Sequence, residues 1–212
     1  MKPRANFAPF RSPRSGFSLV ELLLSLAVLL VLTTLAVPVV VRSLQGYQLN
    51  SSASQLAGLV KFTKFEAIRQ NTPVSLQIAA QGTNWLVWVD SNGNLQADGS
   101  EPRMIVGGNF TLLPAAAVPS PASIAGTLGP GGNSIPWTVV SGAAGSLMYD
   151  QRGVSVDVDG SGRVVDVTSV YVLYLGGSVN PALGYRAIVR LPSGAVQVWT
   201  AGSLTDTWQR VS

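Results

Sequence analysis

The chain opens with a block in which polar positions almost vanish. Residues 17–41 read FSLVELLLSLAVLLVLTTLAVPVVV, apolar on every helical face, with Glu21 as the only charge. At 1.5 Å per residue a helix of this length spans about 37 Å, more than the roughly 30 Å of a hydrocarbon core. The pattern then changes to a helical stripe. Leu49, Ala53, Leu56, Val60 and Ala67 are spaced to share one face, with Leu59, Phe62 and Phe65 expected to widen it. Lys61, Lys64, Glu66 and Arg69 bring charge to this stretch, and Asn71-Thr72-Pro73 marks its end. Beyond Pro73 the period shortens to that of strands, expected at 74–80, 85–90, 103–107, 137–140, 146–150, 153–158, 163–175, 184–192 and 195–200. Gly, Asn and Ser between them predict antiparallel hairpins. Residues 114–136, rich in Pro, Gly and Ala, read as a long exposed loop between two sheet segments.

These patterns predict an α+β protein: a long N-terminal helix, transmembrane in its first half, packed on an antiparallel β-sheet domain. The divisions are residues 1–16 as a basic leader, 17–41 as a transmembrane helix, 42–72 as its amphipathic continuation and 73–212 as a β-rich domain.

Charge sharpens the reading of the N-terminus. The net charge of +4 comes from Lys2, Arg4, Arg11 and Arg14, since ten basic and ten acidic residues follow Gly16. Basic residues before an apolar span stay cytoplasmic, which sends the rest of the chain across the membrane. A secretory signal cut after Thr34-Leu35-Ala36 and an uncut signal anchor both account for the apolar run. Neither accounts for Glu21, because a carboxylate in a membrane helix is costly without a partner. A cut after Gly16 would place a new amine on Phe17, four residues from that carboxylate. The same spacing lets Glu21 of one subunit meet the Phe17 amine of a neighbour displaced along a filament.

GFSLVELLLSLAVLLVL resembles the cleavage and methylation motif of type IV prepilins and type II secretion pseudopilins. The resemblance implies cleavage between Gly16 and Phe17 by a prepilin peptidase, N-methylation of Phe17, an assembly role for Glu21, and a helix kink or locally melted stretch at Pro38. KFEAIRQNTPVSLQI, NWLVWVDSNGN, LMYDQRGVSV and IVRLPSGAVQVW are similar, in that order, to segments of the H-type minor pseudopilins and FimT-like minor pilins. The family implies a minor subunit of a type II secretion or type IV pilus filament, held in the bacterial inner membrane with its domain in the periplasm. Its partners would be other pilin or pseudopilin subunits, the peptidase that methylates them and the inner-membrane assembly platform. An adhesive or DNA-capturing tip module is the alternative.

The chemistry-bearing residues add little catalysis. With no Cys and no His, the thiol, Ser–His and His–metal arrangements are absent, and no Walker loop, nucleophile elbow or dinucleotide fingerprint occurs. The chain therefore reads as a non-enzyme with no required cofactor. Two loops have cation-like spacing. Asp90, Asn92, Asn94, Asp98 and Glu101 occupy positions 1, 3, 5, 9 and 12 of a Ca²⁺-type loop, but Leu95 stands where a glycine is needed. Asp157, Asp159 and Ser161 form a shorter series; in both cases the alternative is a hairpin turn. Arg186, Arg190 and Arg210 are the candidates for a basic patch on nucleic acid, with Arg186 and Arg190 sharing a strand face; the alternative is a solvated face.

Overall fold

A computed structural model of the chain describes residues 16–114, 117–119, 124, 134–136, 145–178 and 180–211. The chain divides into two units, Met1–Val41 and Arg42–Ser212. One helix, α1 (Leu19–Gln70), belongs to both. In the first unit it is exposed throughout, and its apolar window has a mean hydropathy of 2.7 with no residue buried. Thr33 and Thr34 turn their hydroxyls back onto the carbonyls of Leu29 and Val31, so the polar groups of this stretch are satisfied within the helix. Of the kink or melted stretch expected at Pro38, the helix does not melt: helical geometry continues through it. A proline removes one N–H donor, and the bonds of the turns on either side suffice to carry the helix past it.

In the second unit the predicted stripe is buried. Leu49, Ala53, Leu56, Val60 and Ala67 all lie in the core, joined by Ala57, Thr63 and Glu66. The expected widening fails. Leu59 is half-buried, but Phe62 is 41% and Phe65 65% exposed, because at 100° per residue they fall on the far side of the helix from Val60 and Ala67. Asn71 ends the helix in a left-handed conformation (φ 53°), and Thr72 donates back to the Ala67 carbonyl at 3.3 Å.

Among the described residues twelve strands follow, in two sheets. The first contains β1 (Val74–Gln81), β2 (Asn84–Asp90), β3 (Arg103–Val106), β6 (Gly145–Tyr149), β7 (Ser155–Val158) and β8 (Val164–Asp166), in the order β3-β2-β1-β6-β7-β8, all antiparallel. The second contains β4 (Phe110–Leu113), β9 (Val170–Gly177), β10 (Tyr185–Arg190), β11 (Val196–Ala201) and β12 (Gln209–Arg210), in the order β12-β11-β10-β9-β4, with β5 (Ser134–Pro136) parallel to β9. The strand expected over 163–175 is two strands, one in each sheet, joined through Val167–Ser169. The strand expected at 137–140 lies outside the described residues.

Both sheets meet the same helix face. Leu76, Ile78, Val87 and Leu147 from the first sheet and Leu173, Leu175 and Ile188 from the second form one core with the α1 stripe. The other face of the second sheet has its own core, in which Val172, Tyr174, Ala187, Val189 and Trp199 lie under Val118, Ile124 and Trp208. Trp208 Nε1 donates to the Pro119 carbonyl at 3.1 Å. The described part of 114–136 is thus not an exposed loop. Its apolar residues cover a sheet face that alternation leaves uncovered, and the remainder of the segment lies outside the described residues.

The two sheets are joined directly at two hairpin turns. Ser155 at the start of β7 donates its N–H to Pro192 O at 3.2 Å and its hydroxyl to Leu191 O at 2.9 Å. The turns approach so closely that a Cβ on Gly194, whose φ is 75°, would overlap the Gly153 carbonyl oxygen. Gly194→Ala combines that overlap with a left-handed backbone, and it should cost about 1–3 kcal/mol in denaturant unfolding of the full chain.

At the helix end, Glu66 accepts from Arg69 Nε at 2.8 Å and Gln70 Nε2 at 2.6 Å. The Arg69 guanidinium outweighs burial and, with Gln70, holds the Glu66 carboxyl at about 2, below its ordinary 4.5. A depressed carboxyl stabilises the fold fully above its ordinary value and loses that contribution as pH falls toward 2. Thermal melts of the wild type and Glu66→Gln should therefore differ at pH 7 and converge as pH drops below 4.5.

Candidate functional site

The first candidate site is the start of the stem. Gly16, Phe17 and Ser18 precede the first helical residue, Leu19, so the expected processing point lies just outside the helix. Phe17 is 73% exposed. Among the described residues, a Cβ on Gly16 would meet nothing within 4 Å. Glu21 sits in the first turn of α1, where a carboxylate faces the positive end of the helix dipole. Its backbone carbonyl accepts the Ser25 hydroxyl at 2.7 Å. Among the described residues no cation pairs with the Glu21 side chain. Lys2, Arg4, Arg11 and Arg14 of the leader lie outside the described residues.

The loop after β2 does bring its five residues together, but on backbone donors. Asp90 accepts from Asn94 N and Leu95 N, each at 3.1 Å. Glu101 accepts from Ser91 N at 2.9 Å and Asp98 N at 3.1 Å. Asp98 takes the side-chain amides of Asn92 and Asn94 at 2.7 and 2.9 Å. Oxygen ligands to Ca²⁺ converge on one point; here the acceptors point at separate N–H groups around the loop. Leu95, at the place of the missing glycine, has φ 60°, so the loop adopts the turn that position demands despite its side chain. The second series does not converge either: Asp159 caps its own turn through Ser161 N and Arg163 N, both at 2.9 Å, while Asp157 accepts the Tyr171 hydroxyl at 3.3 Å. Among the described residues no group of three or more acidic side chains is placed to hold a metal.

The three arginines do not form a patch. Alternation puts Arg186 and Arg190 on one face of β10, and that face, with Ile188 between them, is the one turned to the α1 core. Arg186 donates to Asn50 on α1 at 2.6 Å and to the Tyr185 carbonyl at 2.8 Å. Arg190 is 2% exposed. Its guanidinium lies 4.4 Å from the centroid of Tyr171 and 5.8 Å from that of Tyr149, and Nη1 donates to Met148 O at 3.3 Å. Burial lowers its pKa, with the two tyrosines and Asp157 opposing the shift. Arg210 alone is exposed, on the edge strand β12. Both expectations for Arg190, nucleic-acid contact and a solvated face, are therefore corrected: its charge is absorbed by aromatic rings between the sheets.

The acidic turn before β7 was not singled out as a site by sequence reasoning. Asp150 accepts from Arg152 N, Val154 N and Arg152 Nε, and Arg152 reaches on to Asp166 at 3.0 Å. Burial acts to raise the Asp150 pKa, but Arg152 and the two backbone donors outweigh it and the net shift is downward. The signal was present in the DQRG turn, where an aspartate two residues before an arginine can cap the turn and pair with it. Tyr149 and Tyr171, the aromatic partners of Arg190, carried no such local signal.

A buried cation without a carboxylate partner gives a sharp test. Arg190→Met keeps the apolar stem and removes the charge, and should leave stability within about 1 kcal/mol of the wild type or raise it. Arg190→Ala empties the space and should cost about 2–5 kcal/mol. Chemical denaturation of the full chain in detergent measures both.

Residues 52–169 match the family model described as type II transport protein GspH, and residues 11–37 match the prokaryotic N-terminal methylation motif. The chain is 40% identical over 89 residues to the pilin-like protein PilA1 of Thermus thermophilus, a match covering 42% of this chain and 56% of the relative. The chain thus spans about half the length of that curated relative. Among solved structures, two crystal forms of the type IV minor pilin FimU of Pseudomonas aeruginosa align at 15% identity. They cover 74% and 73% of this chain and 96% and 98% of FimU, with TM-scores of 0.43 and 0.42. The GspH model covers more than half of the chain and the methylation motif overlies the stem, so the chain belongs to the GspH family of type II transport proteins.

Proposed function

We propose that the chain is a minor pilin-like subunit, a minor pseudopilin of a type II secretion system or a minor pilin of a type IV pilus, with a structural rather than catalytic role. A prepilin peptidase cuts between Gly16 and Phe17 and the Phe17 amine is methylated. Residues 17–41 hold the subunit in the bacterial inner membrane with residues 73–212 in the periplasm, and an assembly platform passes it into a filament beside other pilin-like subunits. The observation that carries this reading is an apolar stem with no buried residue and a single carboxylate, Glu21, that no cation in the described chain neutralises. Assembly supplies what the stem lacks: apolar helices cover its surface, and the Phe17 amine of a neighbour reaches Glu21. The absence of packing around Gly16 among the described residues supports recognition by another protein as the reason for a glycine there.

Mass spectrometry of the protein isolated from membranes should find a chain beginning at methylated Phe17; a chain beginning at Met1 or Val37 would contradict the reading. Glu21→Ala should leave the chain anchored in the membrane while lowering its recovery in sheared filaments at least about ten-fold, since an unpaired Phe17 amine is left in an apolar bundle.

A further inference from the structure

The β12 edge of the second sheet carries a cavity of about 320 Å³, lined by Thr200, Ala201, Gly202, Asp206, Thr207 and Gln209. Thr200 and Gln209 are direct partners across β11 and β12, so their side chains stand on one face of the sheet. The loop between the two strands brings Asp206 and Thr207 to them. That loop is held at both ends. Ala201 is buried at its start, and Trp208 at its end donates to the Pro119 carbonyl at 3.1 Å. Inside the loop Asp206 donates its N–H to Ser203 O at 3.3 Å. The walls of the cavity are therefore set by the fold itself.

Gly202 shows what the loop is shaped around. Its φ is not positive, so the backbone does not ask for a glycine there. A Cβ would lie 2.7 Å from Asp206 Oδ2, so the missing side chain leaves room for that carboxylate. Among the described residues the carboxylate makes neither a hydrogen bond nor an ion pair. The hydroxyls of Thr200 and Thr207 and the amide of Gln209 make no side-chain hydrogen bond among them either. The carboxylates of Asp90, Asp150 and Asp159 differ, since each is occupied by N–H groups of its own turn. Four polar side chains thus face one cavity with their bonding capacity unused.

The donor and acceptor set selects the ligand. A Ca²⁺ ion takes about six to eight oxygens, commonly from several carboxylates, and Asp206 is the one carboxylate in the lining. An anion is repelled by Asp206, and no cation lines the cavity to offset it. Arg186, opposite Thr200 on β10, is turned to Asn50 and the Tyr185 carbonyl, and alternation puts Arg210 on the other face of β12. An apolar ligand finds only Ala201 and the threonine methyls. A sugar fits, because its hydroxyls donate to the carboxylate and both donate to and accept from the threonines and the amide. We propose that this cavity binds an uncharged sugar residue of a carbohydrate chain, with Asp206 accepting from adjacent hydroxyls and Thr200, Thr207 and Gln209 selecting among sugars. The site depends on neither the stem nor Glu21.

The full chain, in a detergent without a sugar headgroup, can be titrated with glucose, galactose, mannose and N-acetylglucosamine by saturation-transfer NMR, with methylammonium as the competing cation. At least one sugar should saturate with a Kd on the order of 1 mM, the strength expected of a small ligand in an open cavity. Asp206→Asn keeps the shape of the side chain and should weaken that sugar at least about ten-fold. It should leave the melting temperature unchanged, because the carboxylate makes no bond in the fold. Gly202→Ala pushes the carboxylate aside and should weaken the sugar to a similar extent, while Arg103→Gln, on the other sheet, should leave it unchanged. Saturation by none of the four sugars would overturn the site, as would a Kd indifferent to both Asp206→Asn and Gly202→Ala. Displacement of the sugar by methylammonium would overturn it too, by showing that the carboxylate serves a cation.

Discussion

The domain depends on one stripe of α1 being buried against two sheets at once. Leu49, Ala53, Leu56, Val60 and Ala67 are buried in one cluster with Ile78 of the first sheet and Ile188 of the second. Neither sheet has another apolar layer for that inner face. Removing the helix would expose the inner residues of both sheets together, and no disulfide holds them in its place. Direct sheet-to-sheet links include the Ser155 bonds to the 191–194 turn, the Arg190 guanidinium between Tyr149 and Tyr171, and Trp85 Nε1 on Thr111 Oγ1.

The same constraint explains what could be read from the sequence. A stripe buried against flat sheets must keep strict helical spacing, so its residues were legible, and so was the helix end, where Asn71 takes a conformation few residues tolerate and Pro73 follows. Strands with one buried face, such as β1 and β2, showed in their alternation and in the turn residues between them. The stem was legible for a different reason: an apolar run of that length with one acid has few physical explanations.

What was not legible depended on distant partners. Phe62 and Phe65 look like core residues in any local window, and only the position of the sheets decides which side of the helix is inside. Arg190 reads as a surface charge on an alternating strand, because the two tyrosines that accept it come from β6 and β9, more than 18 residues away in sequence at the nearest. Val167–Ser169 pass for strand interior, although the chain crosses there from one sheet to the other. β4 and β12 are short edge strands, and β5 lies within a segment whose composition resembles a linker. The acidic side chains of the loop at 90–101 accept from the loop's own N–H groups, a detail that spacing alone does not carry.

Two charges in this chain lie in apolar settings, and they are handled in opposite ways. Arg190 is enclosed by its own fold: tyrosine faces and one carbonyl replace part of the water it loses, while its Nε stays buried without a hydrogen-bond partner. Glu21 has no such enclosure. Its side chain stands on an exposed apolar helix with no cation beside it among the described residues, so a membrane or a bundle of helices would desolvate it without compensation. A fold able to build an aromatic enclosure for a buried arginine could tolerate a leucine at position 21 more cheaply than a lone carboxylate. The acid is therefore better understood as half of an interaction whose other half arrives with a second molecule.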